Sequence, residues 1–387
     1  MTTVRSRIFR WLMTYYLLGG FAPIPVTNLL AQAPQFEAYG LAEGLSQEYV
    51  NALVKDRRGF LWIGTQDGLN RFDGYTFKHY RRHKKDPHGL PGNFINALAL
   101  DSLGRIWVGT KNHGLAYGDP LTERFHRVVI EGLAANAHCN QLTVDPDGTV
   151  YAAFLSEGIV KISPRGDSLH RERLNFAATA TPNITTLQAF PDFLLAGSRE
   201  GALYYADRRL AKPEFQRLAP DFAGQKIHAF AAFRELVLIG TDAGVFYWRP
   251  GTPRVQKLRG LRLNGAYVYE MATDEEAAYF ATDAGLFYAS DFNGQDGFDR
   301  VRHYTSDGQS GLQSNLITQL LLEAETLWLG GNRLYYHDRR PPVFKSIASP
   351  LVANRVVYSL VVDGDRPWVG TGAGLLLVRG ERVYAYG

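Results

Sequence analysis

The sequence has a single cysteine, Cys139, among its 387 residues. One thiol cannot form an intramolecular disulfide and cannot build a thiolate metal cage, so the chain has neither of these means of stabilisation. Cys139 stands between His138 and Asn140, at a place where similar segments have Val or Ile. We therefore expect it to fill a core position as a small hydrophobe.

Long apolar runs are lacking outside the N-terminus. There, three arginines precede a mostly apolar run over residues 11–30, and residues 31–33 offer the small-x-small pattern that signal peptidase accepts. Pro23 and Pro25 interrupt the run, which favours a cleaved signal peptide over the main alternative, a retained membrane anchor. The sequence thus predicts a signal peptide over residues 1–33 and a periplasmic mature protein.

An excess of charge of one sign is missing once residues 1–33 are set aside. The whole chain has 42 Lys and Arg against 38 Asp and Glu; residues 1–33 hold three of the arginines and no acid, which leaves 39 against 38. No overall positive field remains to attract nucleic acid, so we expect no nucleic-acid partner. The local basic cluster at residues 81–85 is interpreted as a solvated loop.

Motifs that carry catalysis or hold cofactors are also missing. The sequence contains no His-Glu-x-x-His, and residues 197–201 do not have the Gly-x-Ser-x-Gly spacing of a nucleophile elbow. No Gly-rich run lies between a strand and a helix, as a nucleotide-binding loop requires, and the ten histidines are scattered. Asp242 and Asp283 occupy matching positions in similar segments and are interpreted as turn residues. We therefore predict no catalytic residues, no metal and no cofactor.

The sequence does contain an internal repeat. Eight times, a short apolar segment ends in Gly or Ala, passes through a few polar residues and meets Gly again before a second apolar run. The Gly or Ala of the eight copies stands at positions 64, 109, 153, 197, 240, 281, 330 and 370. A period of 40–50 residues with short strands predicts a β-propeller, because a lone four-stranded unit cannot cover its own apolar faces.

The first repeat serves as the template for one blade. Its apolar segments predict four strands, within residues 50–54, 60–65, 69–72 and 75–80, and Asp73-Gly74 is a hairpin signal between the last two. The sequence therefore predicts an all-β propeller of four-stranded antiparallel blades over residues 34–387. Four tryptophans share one place in the second strand and are interpreted as wedges between blades rather than sugar-stacking platforms: Trp62, Trp107, Trp328 and Trp368.

The number of blades stays open between seven and eight. Residues 36–40 resemble the outer-strand segments 77–80 and 383–387, so they could dock on the last blade and close the ring. Either eight repeats close as eight blades with one redundant strand, or seven close and the eighth begins something else. A complete chain favours eight, because an orphan blade would expose apolar faces and edges; a fragment favours seven plus one.

A binding site is predicted where the first strand of each blade begins. Loop lengths vary most on the face where these strands begin, and binding residues usually lie on variable loops over a rigid frame. The residue after the first apolar position of each strand gives a ring of amides, hydroxyls and aromatics suited to a polyhydroxylated ligand: Asn51, Asn96, Asn140, Thr185, His228, Tyr269, Thr318 and Tyr358. The alternative is that these side chains hydrogen-bond neighbouring blades and line a water-filled channel.

The first two repeats also carry a family resemblance. Residues 44–46, 51–53, 56–65 and 68–74 resemble the opening repeat of the two-component regulator propeller family, the periplasmic ligand-sensing part of bacterial hybrid two-component sensors. The second repeat continues the pattern at Asn96, Asp101 and Gly104 and over residues 106–110 and 114–115.

The resemblance implies an exported sensor that binds an oligosaccharide or a similar polar ligand and signals across the membrane. Members of the family usually carry two seven-bladed propellers, a β-sandwich, a membrane helix and a kinase. Because the later parts are not in this sequence, the resemblance implies a membrane sensor kinase or a second propeller as partner. Two other functions remain open: a propeller enzyme, such as a lyase or a glycoside-acting protein, and a protein-interaction scaffold with an exposed apolar patch.

Overall fold

The computed structural model describes residues 35–340, except 166–167, 178–181, 219–221 and 223, and residues 357–386, except 364–365, 373 and 380–381. The predicted signal peptide over residues 1–33 lies outside the described residues. The chain divides into two compact units, one spanning residues 34–340 and the other containing the sheet of residues 357–386. In the part of the chain that is described, no helix is long and apolar enough to cross a membrane.

The first unit starts with a short strand, β1 (Glu37–Tyr39), which is followed by six four-stranded sheets called blades one to six. Blades one to three contain β2 (Val50–Lys55), β3 (Leu61–Thr65), β4 (Gly68–Phe72) and β5 (Phe77–Tyr80); β6 (Ile95–Leu100), β7 (Ile106–Thr110), β8 (Leu115–Asp119) and β9 (Arg124–Val128); and β10 (Cys139–Val144), β11 (Val150–Phe154), β12 (Gly158–Arg165) and β13 (Ser168–Phe176).

Blades four to six contain β14 (Ile184–Ala189), β15 (Phe193–Ser198), β16 (Leu203–Asp207) and β17 (Glu214–Leu218); β18 (Ile227–Phe233), β19 (Leu236–Thr241), β20 (Gly244–Trp248) and β21 (Val255–Lys257); and β22 (Val268–Thr273), β23 (Ala277–Thr282), β24 (Gly285–Phe292) and β25 (Phe298–Tyr304). Strands within each blade pair antiparallel in chain order, as the sequence predicts. A short parallel pairing of β13 with β17 joins the outer edges of blades three and four.

Blade seven closes the ring. It contains β26 (Ile317–Leu322), β27 (Thr326–Gly331) and β28 (Leu334–Asp338), and its fourth strand is β1, which pairs antiparallel with β28. The first strands of the blades contact one another around the axis, and β26 packs against β2. The ring therefore has seven blades and not eight. It closes at blade seven because β1 occupies the outer edge of that blade.

The eighth repeat forms a sheet of its own, with β29 (Val357–Asp363), β30 (Arg366–Thr371), β31 (Gly374–Arg379) and β32 (Arg382–Tyr386). The domain boundary predicted from the sequence, one propeller over residues 34–387, differs from this division into two units. The exposed large apolar side chains in its first strand are Val357, Tyr358, Leu360 and Val361.

The second strand of each ring blade lies in the core. All five residues of β3 and of β7 are buried, as expected for strands covered by neighbouring sheets on both faces. The indole nitrogens of Trp62 and Trp107 donate hydrogen bonds of 2.8 Å to Asp56 and Asp101 in the preceding turns. Together with the buried Trp328, these rings pack in the core, as predicted; Trp368, in the second unit, is half-buried.

Blades approach one another at the glycines of the repeat. A Cβ on Gly64 would lie 2.7 Å from Ile95 Cγ2 of the next blade, and a Cβ on Gly109 would lie 2.7 Å from Cys139 Sγ. Glycine allows this close approach of strands, as the sequence predicts. The prediction for Cys139 is also confirmed, since the side chain is free and fully buried, and burial raises the pKa of its thiol.

Candidate functional site

The candidate site is built on a backbone irregularity that recurs at the start of every blade. In blade one, Val50 pairs with Thr65 and Ala52 with Gly64, so Asn51 has no partner in the ladder and forms a β-bulge. A bulge changes the direction in which its side chain points and often lies beside a functional site. The bulged residues of the eight repeats are the residues predicted from the sequence: Asn51, Asn96, Asn140, Thr185, His228, Tyr269, Thr318 and Tyr358.

Four of the predicted residues line one cavity inside the ring. The cavity has a volume of about 230 Å³, and its lining consists of Asn51, Asn96, His138, Asn140, Thr185 and Lys226. Three amides, a hydroxyl, an imidazole and an amine thus converge at the start of the first strands of blades one to five. The lining contains no carboxylate.

Five of the bulged side chains also join their blade to the next one. The amide nitrogens of Asn51 and Asn140 donate to the backbone oxygens of Ile95 and Ile184, each over 2.8 Å. Three more bulged residues donate to the equivalent carbonyl of the following blade: Asn96 to Cys139, Thr185 to Ile227 and Thr318 to Val50. These five residues therefore do form the hydrogen bonds between blades that the sequence offered as the alternative. Four of them, Asn51, Asn96, Asn140 and Thr185, form such a bond and also line the cavity.

His228 and Tyr269 depart from this pattern. The Nε2 of His228 lies 2.5 Å from the Asp242 carboxylate, and its ring packs edge-on against that of Tyr269 with centroids 5.2 Å apart. Burial lowers the pKa of His228, despite the opposing effect of Asp242, so the imidazole is neutral near pH 7 and donates Nε2–H to the carboxylate. Burial also raises the pKa of Tyr269. The bulged residue of blade five is thus an imidazole that bonds to Asp242, and that of blade six is a tyrosine that packs against this imidazole.

The other four predicted residues, which are His228, Tyr269, Thr318 and Tyr358, are not among those that line the cavity. Thr318 is buried, and its hydroxyl lies within hydrogen-bonding distance of the Val50 and Gly330 carbonyls, at 3.3 and 3.4 Å. Tyr358 belongs to the second unit, where its side chain is exposed.

Sequence reasoning missed His138 and Lys226. Each stands one residue before the apolar position that precedes the bulge, that is, before Cys139 and Ile227. A strand places every second residue on one face, so the residues on either side of the apolar position share a face, and this spacing could have identified both.

Burial shapes the charge of these two missed residues. The pKa of His138 and of Lys226 is lowered by burial, and Lys111 lowers that of His138 further. The amide nitrogen of Asn96 lies 2.6 Å from His138 Nε2, so the neutral ring accepts from the amide there. The backbone N–H of Lys226 donates to Asp242 over 3.2 Å, which fixes the start of this strand.

The side chains that line the site offer hydrogen bonds and one amine. Within the described ranges, no group of three or more His, Cys, Asp or Glu side chains is placed to hold a metal ion. Asp242 and Asp283, which the sequence interpretation assigned to turns, accept the backbone N–H groups of Lys226 and Tyr267 at 3.2 and 3.0 Å, and Asp242 also contacts the His228 imidazole.

Two repeats of the chain are similar to a known family. The model of the two component regulator propeller matches residues 44–67 and 89–112, which lie in blades one and two and in the segments before them. A protein called histidine kinase P4, from Formosa agariphila, is 49% identical over 51 residues, which amount to 13% of this chain and 4% of that protein.

Two solved structures share the fold. The extracellular domain of the putative hybrid two component system BT3049 from B. thetaiotaomicron has a TM-score of 0.68 and 20% identity, and covers 92% of this chain and 49% of its own. The corresponding domain of BT4673 from the same organism has a TM-score of 0.65 and 19% identity, with coverage of 91% and 47%. This chain therefore spans about half the length of either structure. The ring is thus a β-propeller with the fold of these two extracellular domains, and its first two blades carry repeats that match the two component regulator propeller.

Proposed function

We propose that the protein is an exported ligand-binding sensor propeller of a two-component signalling system. Its ligand is an oligosaccharide or a similar polar molecule, and it binds without catalysis at the cavity of Asn51, Asn96, His138, Asn140 and Lys226. The family match and the likeness to extracellular domains of two-component systems support the sensor role and the periplasmic location. A membrane sensor kinase or a second propeller is the partner that such a role requires.

The observation that carries the ligand class is the lining of the cavity. Amides offer both donors and acceptors, as a polyhydroxylated ligand requires, and a single amine adds a charged donor. A volume of about 230 Å³ is below the roughly 300 Å³ at which pockets for drug-sized molecules begin. We therefore expect one sugar residue to enter the cavity, while the remainder of the ligand lies across the face of the ring.

A thermal-shift screen of the full chain with neutral oligosaccharides tests the proposal. A ligand that binds only the folded state stabilises that state by mass action and so raises Tm. At a ligand concentration one hundred times Kd, the free energy of unfolding rises by about 2.7 kcal/mol. Lys226→Met keeps the aliphatic part of the side chain but removes the amine, so the shift for an active sugar should shrink. Lys257→Met, on the exposed outer strand of blade five, is the matched control.

Two results would contradict the proposal. If no polar ligand raises Tm, the binding function is wrong. If a ligand raises Tm as much in Lys226→Met and in the double variant Lys226→Met/His138→Gln as in the wild type, the site has been placed at the wrong cavity.

A further inference from the structure

A second cavity lies in the ring, between blade six and blade seven. It has a volume of about 340 Å³ and is called here the interblade groove. Strands β23, β24 and β25 supply one wall, and β27, β28 and the segment before β1 supply the other. The polar part of its lining includes Tyr279, Tyr288, Arg300, Arg302, Tyr304 and Arg339. The interblade groove and the cavity lined by Lys226 and His138 have no lining residue in common.

Strand pairing places the polar side chains of the blade-six wall in one row. Tyr288 stands directly opposite Arg302 in the ladder between β24 and β25, and Tyr279 stands opposite Tyr288 on the other side. Directly opposed residues point to the same face of a sheet. Ser290 and Arg300 form the next pair along, two residues away and therefore on that same face.

The groove has an unbalanced positive charge. Arg300 pairs with Asp291 at 3.3 Å, and Arg339 pairs with Asp274 at 2.5 Å, but neither carboxylate belongs to the lining. Among the described residues, the partner of the Arg302 guanidinium is the Tyr304 hydroxyl and not a carboxylate. One guanidinium charge in the groove is thus without a counter-ion from the protein.

Aromatic and aliphatic side chains form the rest of the groove. The rings of Tyr279 and Tyr288 lie 5.0 Å apart, and the guanidinium of Arg339 lies 5.5 Å from the Tyr279 ring centroid. Leu286 and Leu327 are fully buried beneath them. A ligand that matches this lining has an apolar ring face for the tyrosines and an anionic group for the arginines.

We propose that the interblade groove binds a small organic anion, a ring that bears a carboxylate or a sulfate. The anionic group pairs with Arg302 and Arg300, and the ring lies against Tyr288 and Tyr279. Arginine suits this role because its planar fork of N–H groups matches the oxygens of carboxylates and sulfates.

Such a ligand would also contact the segment that closes the ring. Phe36 lines the groove, and its ring lies 5.2 Å from that of His337, whose Nδ1 is 3.1 Å from the backbone oxygen of Gln35. Both Gln35 and Phe36 lead directly into β1, the fourth strand of blade seven. A ligand in the groove is therefore expected to hold β1 in place.

Calorimetric titration of the full chain with matched pairs of probes tests the site. Phenyl sulfate and benzoate are the anionic probes, and phenol and benzyl alcohol are their neutral counterparts. We expect both anions to bind at least about tenfold more tightly than the neutral probes, because a charge-assisted hydrogen bond contributes on the order of a tenfold change in Kd. The ratio of Kd between the two anions then identifies the preferred anionic group.

Variants locate the binding. Arg302→Gln should weaken the anionic probes about tenfold and leave the neutral probes unchanged, whereas Arg171→Gln, on the outer strand of blade three, should change neither. Tyr288→Leu removes the stacking ring and should weaken all four probes. Lys226→Met should have no effect, which separates this site from the cavity of the proposed function. In hydrogen exchange, phenyl sulfate should slow the amides of residues 36–39.

Other results would overturn the proposal. Equal affinity for the anionic and neutral probes removes the role of charge. An equal loss in Arg302→Gln and Arg171→Gln would mean that the probes bind non-specifically. If Arg302→Gln fails to fold, two measurements still test the site: the affinity of the probes for Tyr288→Leu and the hydrogen exchange of residues 36–39. The site is rejected if Tyr288→Leu binds the probes as tightly as the wild type and phenyl sulfate leaves the exchange unchanged.

Discussion

The side-chain amide of Asn51 donates a 2.8 Å hydrogen bond to the backbone oxygen of Ile95 and thereby joins the first strands of blades one and two. The same bond recurs from Asn140 to Ile184. In each case the donor is the bulged residue and the acceptor is the residue just before the next bulge. One backbone irregularity thus orients a side chain toward the channel and links the neighbouring blade.

Asn140→Ala should destabilise the ring without unfolding it. The substitution leaves the Ile184 carbonyl without its donor, and an unsatisfied buried polar group costs about 1–3 kcal/mol. Urea unfolding followed by tryptophan fluorescence measures the free energy of unfolding. Asn175→Ala, on the exposed outer strand of blade three, should stay within about 0.5 kcal/mol of wild type. Equal losses in both variants would show that the bond between blades contributes nothing specific.

His228 should make stability fall in mild acid. Burial lowers the pKa of His228 in the folded protein below the ordinary 6.5, so below that pH the unfolded chain takes up a proton that the folded chain resists. Stability is therefore lost as the pH falls from about 7 toward 5. His228→Gln should reduce this slope in urea titrations at several pH values, with the part due to His138 remaining, while His170→Gln, on the exposed part of β13, should leave the slope unchanged. If His228→Gln leaves the slope unchanged, the loss of stability in mild acid arises from other titratable groups.

Glu270 should act in the opposite direction. Burial raises the pKa of its carboxyl to about 7, whereas the unfolded carboxyl ionises near 4.5, so stability falls as the pH rises through this interval. Glu270→Gln keeps the shape of the side chain and removes the ionisation, and should stabilise the protein at pH 8 by about 3 kcal/mol. At pH 4.5 the variant and the wild type should be equal. A Glu276→Gln variant, at an exposed turn, serves as the control.

Phe36 should fasten the closing strand. Its side chain is 5% exposed and packs between Tyr304 and His337, so Phe36→Ala leaves a cavity and costs about 3–5 kcal/mol. Hydrogen exchange should accelerate first in β1 and at its partner strand β28. Leu121→Ala, at a side chain that is 73% exposed, should leave both stability and exchange unchanged. Uniform acceleration over all blades would instead mean that β1 does not close the ring.

Much of the candidate site could be predicted because the repeat fixes one position in each blade. Aligning the eight repeats selected Asn51, Asn96, Asn140 and Thr185, which line the cavity. His138 and Lys226 were missed because only the residue after the apolar position was considered. The different behaviour of His228 could not be predicted, since it depends on Asp242 lying within hydrogen-bonding distance across a turn.

The sequence by itself determined the propeller, because four-stranded units that repeat every 40–50 residues bury their apolar faces by packing against one another. Only the tertiary structure decided the number of blades. Residues 36–40 and residues 383–387 have similar outer-strand patterns. Their similarity does not show which of the two segments pairs with the last blade and closes the ring. The pairing of Tyr39 with Leu334 decides it, because backbone hydrogen bonds form where the ring geometry brings the two strands together.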